Sequence, residues 1–175
     1  MKHESMETTE NTLTWSAAKR PGPDYLLTSN GKVLASLRFQ GLGSLAVGEY
    51  GGNSISMKRG GFLHPYISIR KLEFDTDLAI LHMYSVLRFL GELEFADGRK
   101  LLLKKPEHMD MLWSFSHLDG RIICKFSHLV GKKGAMGTFH LLSDRPNDPE
   151  PMQLAIIGWY AAVLIQREQN ELSWV

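Results

Sequence analysis

The sequence predicts a mostly β domain: a closed antiparallel barrel of about twelve strands with an apolar C-terminal helix buried along its axis. Three observations predict it. Apolar and polar residues alternate from Leu13 to about Leu142, hairpin signals punctuate that alternation, and a helix without a polar face follows it. A chain of 175 residues can bury one core. We therefore expect a single domain over residues 12–175. Residues 1–11 are mostly polar and charged, and we expect them to form a disordered tail.

Three dipeptides predict tight hairpin turns, because Asn-Gly and Asp-Gly tolerate the positive φ angles that such turns require. They are Asn30-Gly31, Asp97-Gly98 and Asp119-Gly120. For the second, a three-residue loop over 97–99 is favoured, because it places Phe95 opposite Leu101 and keeps both on one face. For the third, a two-residue loop places His117 opposite Ile122.

The spacing of the strands predicts their number. Strands in all-β domains recur about every 8–12 residues, so the roughly 147 residues before the helix have room for about a dozen. Besides the hairpin strands, the alternation predicts strands at 42–49, 53–59, 61–71, 78–84 and 134–142.

The C-terminal helix is predicted over about 149–168. Asp148-Pro149-Glu150-Pro151 is a start signal, with Asp148 as the N-cap. The run from Leu154 to Ile165 is far shorter than the roughly 20 residues that span a bilayer. A helix that is apolar all round and too short to span a membrane must be buried. A helix is roughly 10–12 Å across, and a barrel of eleven or twelve strands can enclose it.

Hairpins with Asn-Gly and Asp-Gly turns, closed by the apolar helix segment PMQLAIIGWYAAVLIQRE, resemble the tubby C-terminal-like superfamily. That superfamily includes tubby, the LURP-one-related plant proteins and the phospholipid scramblases. The resemblance extends from about Leu13 to Glu168 and implies their barrel fold. The family's phosphoinositide-binding basic residues and the scramblase calcium segment have no matching position here. The resemblance therefore implies a fold and a lipid-related role, but assigns no functional residue.

Composition argues against several classes of function. The formal net charge is +1, and the basic residues are scattered along the chain, so nucleic-acid binding is not expected. Cys124 is the only cysteine, which excludes an intramolecular disulfide. The N-terminal residues lack the apolar core of a secretory signal, so we expect a cytoplasmic protein, peripheral to a membrane if it binds one.

The sequence has no recognisable catalytic, cofactor or metal motif. The run from Gly41 to Ala46 formally matches a dinucleotide fingerprint, but the glycines that follow oppose the helix this chemistry needs, so a glycine-bent strand is predicted. His117 and His128 would lie about 20 Å apart along a hairpin, too far to share a zinc ion. We expect both to be satisfied histidines at the barrel ends, and a protein that is not an enzyme.

Three pairs of adjacent basic residues are the candidate sites for an anion or a lipid headgroup. They are Lys58 and Arg59, Lys104 and Lys105, and Lys132 and Lys133. The first pair precedes Gly60-Gly61, where backbone N–H groups could face a phosphate. Ordinary solvated turns also explain all three pairs.

Two functions are therefore expected. The first is a non-enzymatic domain that binds phospholipid headgroups or an anionic membrane surface. The alternative is a soluble scaffold that binds a protein partner or a small apolar ligand.

Overall fold

The computed structural model describes residues 12–19, 21–74, 76–85, 90–105 and 112–172, so the predicted tail over 1–11 lies outside it. The described residues form thirteen strands and one helix. They are β1 (Leu13–Ala17), β2 (Tyr25–Ser29), β3 (Lys32–Phe39), β4 (Ala46–Tyr50), β5 (Asn53–Gly60), β6 (Tyr66–Lys71), β7 (Thr76–Ser85), β8 (Leu90–Phe95), β9 (Lys100–Lys104), β10 (Leu112–Ser116), β11 (Ile122–Ser127), β12 (Leu129–Gly131), β13 (Gly134–Leu141) and α1 (Pro151–Leu172).

Twelve of the strands form a closed antiparallel barrel. Each strand from β1 to β10 pairs with the next, and β13 closes the ring by pairing with both β11 and β1. Phe139 of β13 lies opposite Phe126 on one side and Leu13 on the other. The short strand β12 is extra and pairs with β13. The predicted architecture is confirmed.

The helix runs along the axis of this barrel, as predicted. Every apolar side chain from 154 to 165 is 7% exposed or less. Trp159 stacks on Trp15 of β1 at 5.3 Å between ring centroids, and Tyr160 stacks on Phe39 of β3 at 5.6 Å. On another side, a Cβ atom on Gly158 would lie 2.7 Å from the ring of Phe126 in β11, so glycine permits the close approach. In the part of the chain that is described, no helix is long and apolar enough to cross a membrane.

The helix direction defines two ends of the barrel. At the entry end, where α1 begins, Gln153 donates a hydrogen bond of 2.7 Å to the Tyr50 hydroxyl, where β4 ends. At the exit end, where α1 finishes, Glu168 pairs with Arg59 near the end of β5. Because neighbouring strands are antiparallel, even-numbered strands up to β10 end at the entry end, and odd-numbered strands up to β11 end at the exit end.

The helix bounds and the N-cap differ from the prediction. The helix begins at Pro151 and ends at Leu172, two residues later and four residues later than predicted. The Glu150 carbonyl accepts the first bond of the helix, from the Leu154 N–H, so Glu150 occupies the N-cap position. Asp148 is not the cap, because its carboxylate accepts bonds from other elements instead.

The turn prediction is confirmed for the first hairpin. Asn30 and Gly31 have φ angles of 49° and 79° between the paired residues Ser29 and Lys32, as a two-residue loop requires.

The other two hairpins have three-residue loops, over 96–98 and 118–120, which corrects both predicted registers. The glycine takes positive φ as the last residue of each loop, so the second loop lies one residue earlier than predicted. Leu93, rather than Phe95, therefore lies opposite Leu101. In the third hairpin the His117 N–H donates to the Arg121 carbonyl, which closes the three-residue loop. A β-bulge next to this loop shifts the register back by one residue, so the residues further along the two strands pair as predicted.

The predicted strands at 42–49 and 61–71 begin late, at Ala46 and Tyr66. Residues 41–44 form a hairpin loop instead of a glycine-bent strand, with Gly41 at a φ of 68° and the Gln40 N–H bonded to the Leu45 carbonyl.

Candidate functional site

The fold brings all three predicted basic pairs to the exit end. Lys58 and Arg59 lie in the last residues of β5. Lys104 ends β9, and Lys105 follows it. The third pair, residues 132–133, forms the turn between β12 and β13. Pairs that are scattered along the chain therefore share one end of the barrel.

Charge is divided unequally between the two ends. Each end is taken to include its loops, the helix terminus that lies there, and the three strand residues that adjoin each loop. The described basic residues of the exit end are Lys19, Arg38, Lys58, Arg59, Lys104, Lys105, Lys125, Lys132, Lys133 and Arg167, and the described acidic residues are Asp24, Glu92, Glu168 and Glu171. The described basic residues of the entry end are Lys32, Arg70, Lys71, Arg99, Lys100, Arg121 and Arg145, and the acidic residues are Glu49, Glu73, Asp77, Glu94, Asp97, Asp119, Asp144, Asp148 and Glu150. Within the described residues, the exit end is strongly basic and the entry end is weakly acidic.

The six predicted side chains differ in their availability. Lys58, Lys104 and the lysines at 132 and 133 are exposed. Arg59 is not a solvated turn residue, because its guanidinium pairs with the Glu168 carboxylate at 2.6 Å. The Lys105 ammonium lies 5.8 Å from the centroid of the Trp113 ring. The exposed lysines, rather than the Arg59 turn, are therefore the accessible charge.

A cleft of about 340 Å³ opens at the exit end beside the last turns of the helix. Its described lining combines apolar, amide and basic side chains: Lys105, Trp113, His128, Leu129, Val130, Ala162, Ile165, Gln166 and Gln169. His128 packs against the Trp159 ring at 4.6 Å, and burial lowers the pKa of its imidazole to about 4. Its Nε2 atom is buried without a hydrogen-bond partner among the described residues. The prediction that the hydrogen bonds of this histidine are satisfied is therefore wrong.

The other histidine of that prediction, His117, is satisfied at the entry end. Its Nε2–H donates to the Asp148 carboxylate at 2.8 Å, which also accepts from the Ser143 hydroxyl at 2.6 Å and from the Arg121 guanidinium at 3.3 Å. Burial opposes ionisation of Asp148, yet these bonds outweigh it and hold the pKa of the carboxyl well below its usual value. This hydrogen-bond network fixes the chain that leads into α1. The Ser143 hydroxyl is part of the network, because it donates to the Asp148 carboxylate.

Cys124 is a core residue, as its apolar neighbours in the sequence indicate. It is fully buried in β11, and desolvation raises the pKa of its thiol to about 12. The described residues contain no cluster of three or more potential metal ligands.

Comparison of the chain with protein-family models, with curated proteins and with solved structures gave no match. Function must therefore be inferred from the geometry of the two ends.

Proposed function

We propose that the protein is a non-enzymatic domain that binds anionic phospholipid headgroups at a membrane surface through the exit end of its barrel. The observation that supports this most directly is the separation of charge between the two ends. The resemblance to the tubby-like superfamily is compatible with such a role but adds no residue to it.

The net charge of +1 is the wrong quantity for judging this surface. The barrel strands have five to ten residues and are tilted by about 40°, so they separate the two ends by roughly 13–25 Å. The Debye length is about 8 Å at physiological ionic strength, so the acidic residues of the entry end are screened from a surface that touches the exit end. Each basic residue near an anionic membrane contributes about 1 kcal/mol, and several exposed lysines together can bind one.

The cleft supports the second candidate, a scaffold that holds a small apolar ligand or a protein partner. Its volume is near the lower limit for small-molecule sites, and the mouth of a barrel is a common place for one. No charge argument singles out such a ligand, so this function ranks second.

Sedimentation with phosphatidylcholine vesicles, with and without phosphatidylserine, tests the proposal. We expect binding to the anionic vesicles only, weakened by salt. Replacing both Lys132 and Lys133 by Gln should weaken it tenfold or more, because about 2 kcal/mol is lost. The matched control replaces Lys32 and Lys71, exposed lysines of the entry end, and should leave binding within twofold of wild type.

Absence of wild-type binding to anionic vesicles at low salt would remove the proposal and leave the scaffold function. Equal losses in the two double variants would mean that the whole molecule, rather than the exit end, carries the attraction. Melting temperatures of all variants should match wild type, because exposed surface residues contribute little to stability.

A further inference from the structure

Two neighbouring loops of the exit end carry the most exposed large apolar side chains among the described residues. Leu42 lies in the loop between β3 and β4 and is 105% exposed. Phe62 and Leu63 lie in the loop between β5 and β6 and are 97% and 80% exposed. The two loops are adjacent, because β4 and β5 pair with each other. Exposed apolar side chains that cluster in this way indicate an interaction site.

Both loops are closed at their base. The Gln40 N–H donates to the Leu45 carbonyl at 2.8 Å and closes the first loop. In the second, Gly61 has a φ of 74°, and a Cβ atom there would clash with the carbonyl oxygen of His64, so only glycine allows this tight turn. The Pro65 carbonyl accepts a bond of 3.0 Å from the Met83 N–H and ties that loop to β7. The apolar tips are therefore held outward by the backbone.

The surroundings of the tips match an anionic lipid surface in charge. Neither loop contains an acidic residue. Exposed Arg38 and Lys58 lie on the strands that lead into the two loops. Separate protruding tips flanked by cations suit a fluid leaflet, which closes around each tip, whereas a folded protein partner would need a matching pocket for each. Aromatic and aliphatic side chains beside basic residues are typical of segments that enter the boundary between headgroups and acyl chains.

We infer that Leu42, Phe62 and Leu63 insert into the headgroup–acyl boundary of an anionic leaflet while Arg38 and Lys58 contact its headgroups. This inference depends on the proposed function and adds to it the orientation and depth of the bound protein. It makes the β3–β4 and β5–β6 loops the leading edge of the barrel.

Environment-sensitive labels on single introduced cysteines test the insertion. Cys124 is fully buried and can stay in place, because its raised pKa and burial keep it unreactive in the folded protein. The labelled variants are Leu63→Cys and Leu42→Cys, with Leu118→Cys in an exposed loop of the entry end as the control. Each is mixed with phosphatidylcholine–phosphatidylserine vesicles with and without a lipid that carries a nitroxide quencher high on its acyl chain.

We expect the labels at 63 and 42 to shift to blue emission and to be quenched by the nitroxide lipid, and the label at 118 to change little. Sedimentation of wild type with the same vesicles distinguishes insertion of the loop tips from headgroup binding alone. Binding without quenching at 63 and 42, or with equal quenching at 118, would overturn the insertion and leave headgroup binding in place. Failure of wild type to sediment would overturn both.

A pair of unlabelled variants measures how much the tips contribute. Replacing both Phe62 and Leu63 by Ser should leave salt-sensitive binding at low ionic strength but reduce binding tenfold or more at physiological salt, where insertion outlasts the screened charges. Leu118→Ser is the control and should bind like wild type. Wild-type binding of the double variant at physiological salt would contradict insertion.

Discussion

At the entry end, the Asp148 side chain is 3% exposed and accepts hydrogen bonds from three other side chains. At the exit end, the ion pair between Arg59 and Glu168 joins side chains that are 36% and 26% exposed, and the nearby lysines project into solvent. The same kinds of residue thus serve different purposes. Asp148 and Arg121 of the entry end fix the chain that leads into the helix, whereas most described lysines of the exit end are exposed to solvent.

The largest difference between the ends should appear when each carboxylate is replaced by its amide. Asp148→Asn removes a buried charge that satisfies His117 and Arg121, and should lower the free energy of unfolding by about 3 kcal/mol. For a chain of this length that corresponds to a fall in melting temperature of roughly 6–12 °C. Glu168→Gln breaks a pair that is partly exposed and should cost less than about 1 kcal/mol. Thermal unfolding at pH 7 measures both.

Asp144→Asn is the control for charge, because Asp144 lies in the same connection but is exposed. It should unfold like wild type. An Asp148→Asn variant as stable as Glu168→Gln would mean that the entry-end network does not hold the helix in place.

A second test uses pH, because the pKa values of His128 at the exit end and Asp148 at the entry end are lowered in different ranges. His128 at the exit end has a pKa of about 4 in the folded state, against 6.5 when unfolded. Between these values the unfolded chain binds a proton that the folded chain does not, so stability falls as pH is lowered from 6.5 to 4. The loss should be on the order of 2 kcal/mol. Replacing His128 by Phe should flatten this part of the profile, as measured by urea unfolding.

Asp148 responds in a lower range. Its folded pKa lies below its ordinary value of 3.8, so the stability it contributes is present above that value and is lost as pH falls further. Asp148→Asn should therefore change the profile only below about pH 4, and His128→Phe only above it. A His128→Phe variant that kept the wild-type slope between pH 6.5 and 4 would show that another group titrates there.

Much of the fold could be predicted because it depends on local chemistry. The run from Leu154 to Ile165 has no polar face, and this feature alone requires an enclosure as large as the barrel that strand spacing independently predicts. The positive φ angles of Asn30 and Gly31 follow from the dipeptide itself.

The wrong predictions have two physical causes, a partner distant in sequence at the N-cap and the position of a glycine in two hairpin loops. Asp148 is of a residue type that caps helices and lies at the expected position for an N-cap. The His117 and Arg121 side chains of the third hairpin instead donate hydrogen bonds to its carboxylate. The pairing of Phe95 with Leu101 predicts the second loop one residue too late, and the two-residue turn expected for Asp119-Gly120 is one residue too short. In both loops the position of the glycine decides the register.

The basic end was the main feature that the sequence analysis missed. The pairs at 58–59, 104–105 and 132–133 are far apart in the sequence, and only the direction of the strands brings them to one end. In an antiparallel barrel, alternate connections lie at the same end, so assigning each charged residue to an odd or even connection would have revealed the asymmetry. The exposed tips at 42 and 62–63 could not be found this way, because apolar residues in a loop resemble strand residues until the turn is known.

The smallest expected effect tests whether location rather than net charge governs binding. Glu168→Gln and Glu94→Gln raise the net charge equally, but Glu168 pairs with Arg59 at the exit end, whereas Glu94 lies toward the entry end beside Lys100. Releasing Arg59 adds one available cation at the binding surface, worth about 1 kcal/mol, so Glu168→Gln should bind anionic vesicles two- to fivefold more tightly at low salt. Glu94→Gln should bind within experimental error of wild type, since its site lies more than a Debye length from the surface. The gain of Glu168→Gln should vanish at high salt. Equal gains in the two variants would show that the barrel meets the membrane in no preferred orientation, and the contrast between the two ends would then be structural only.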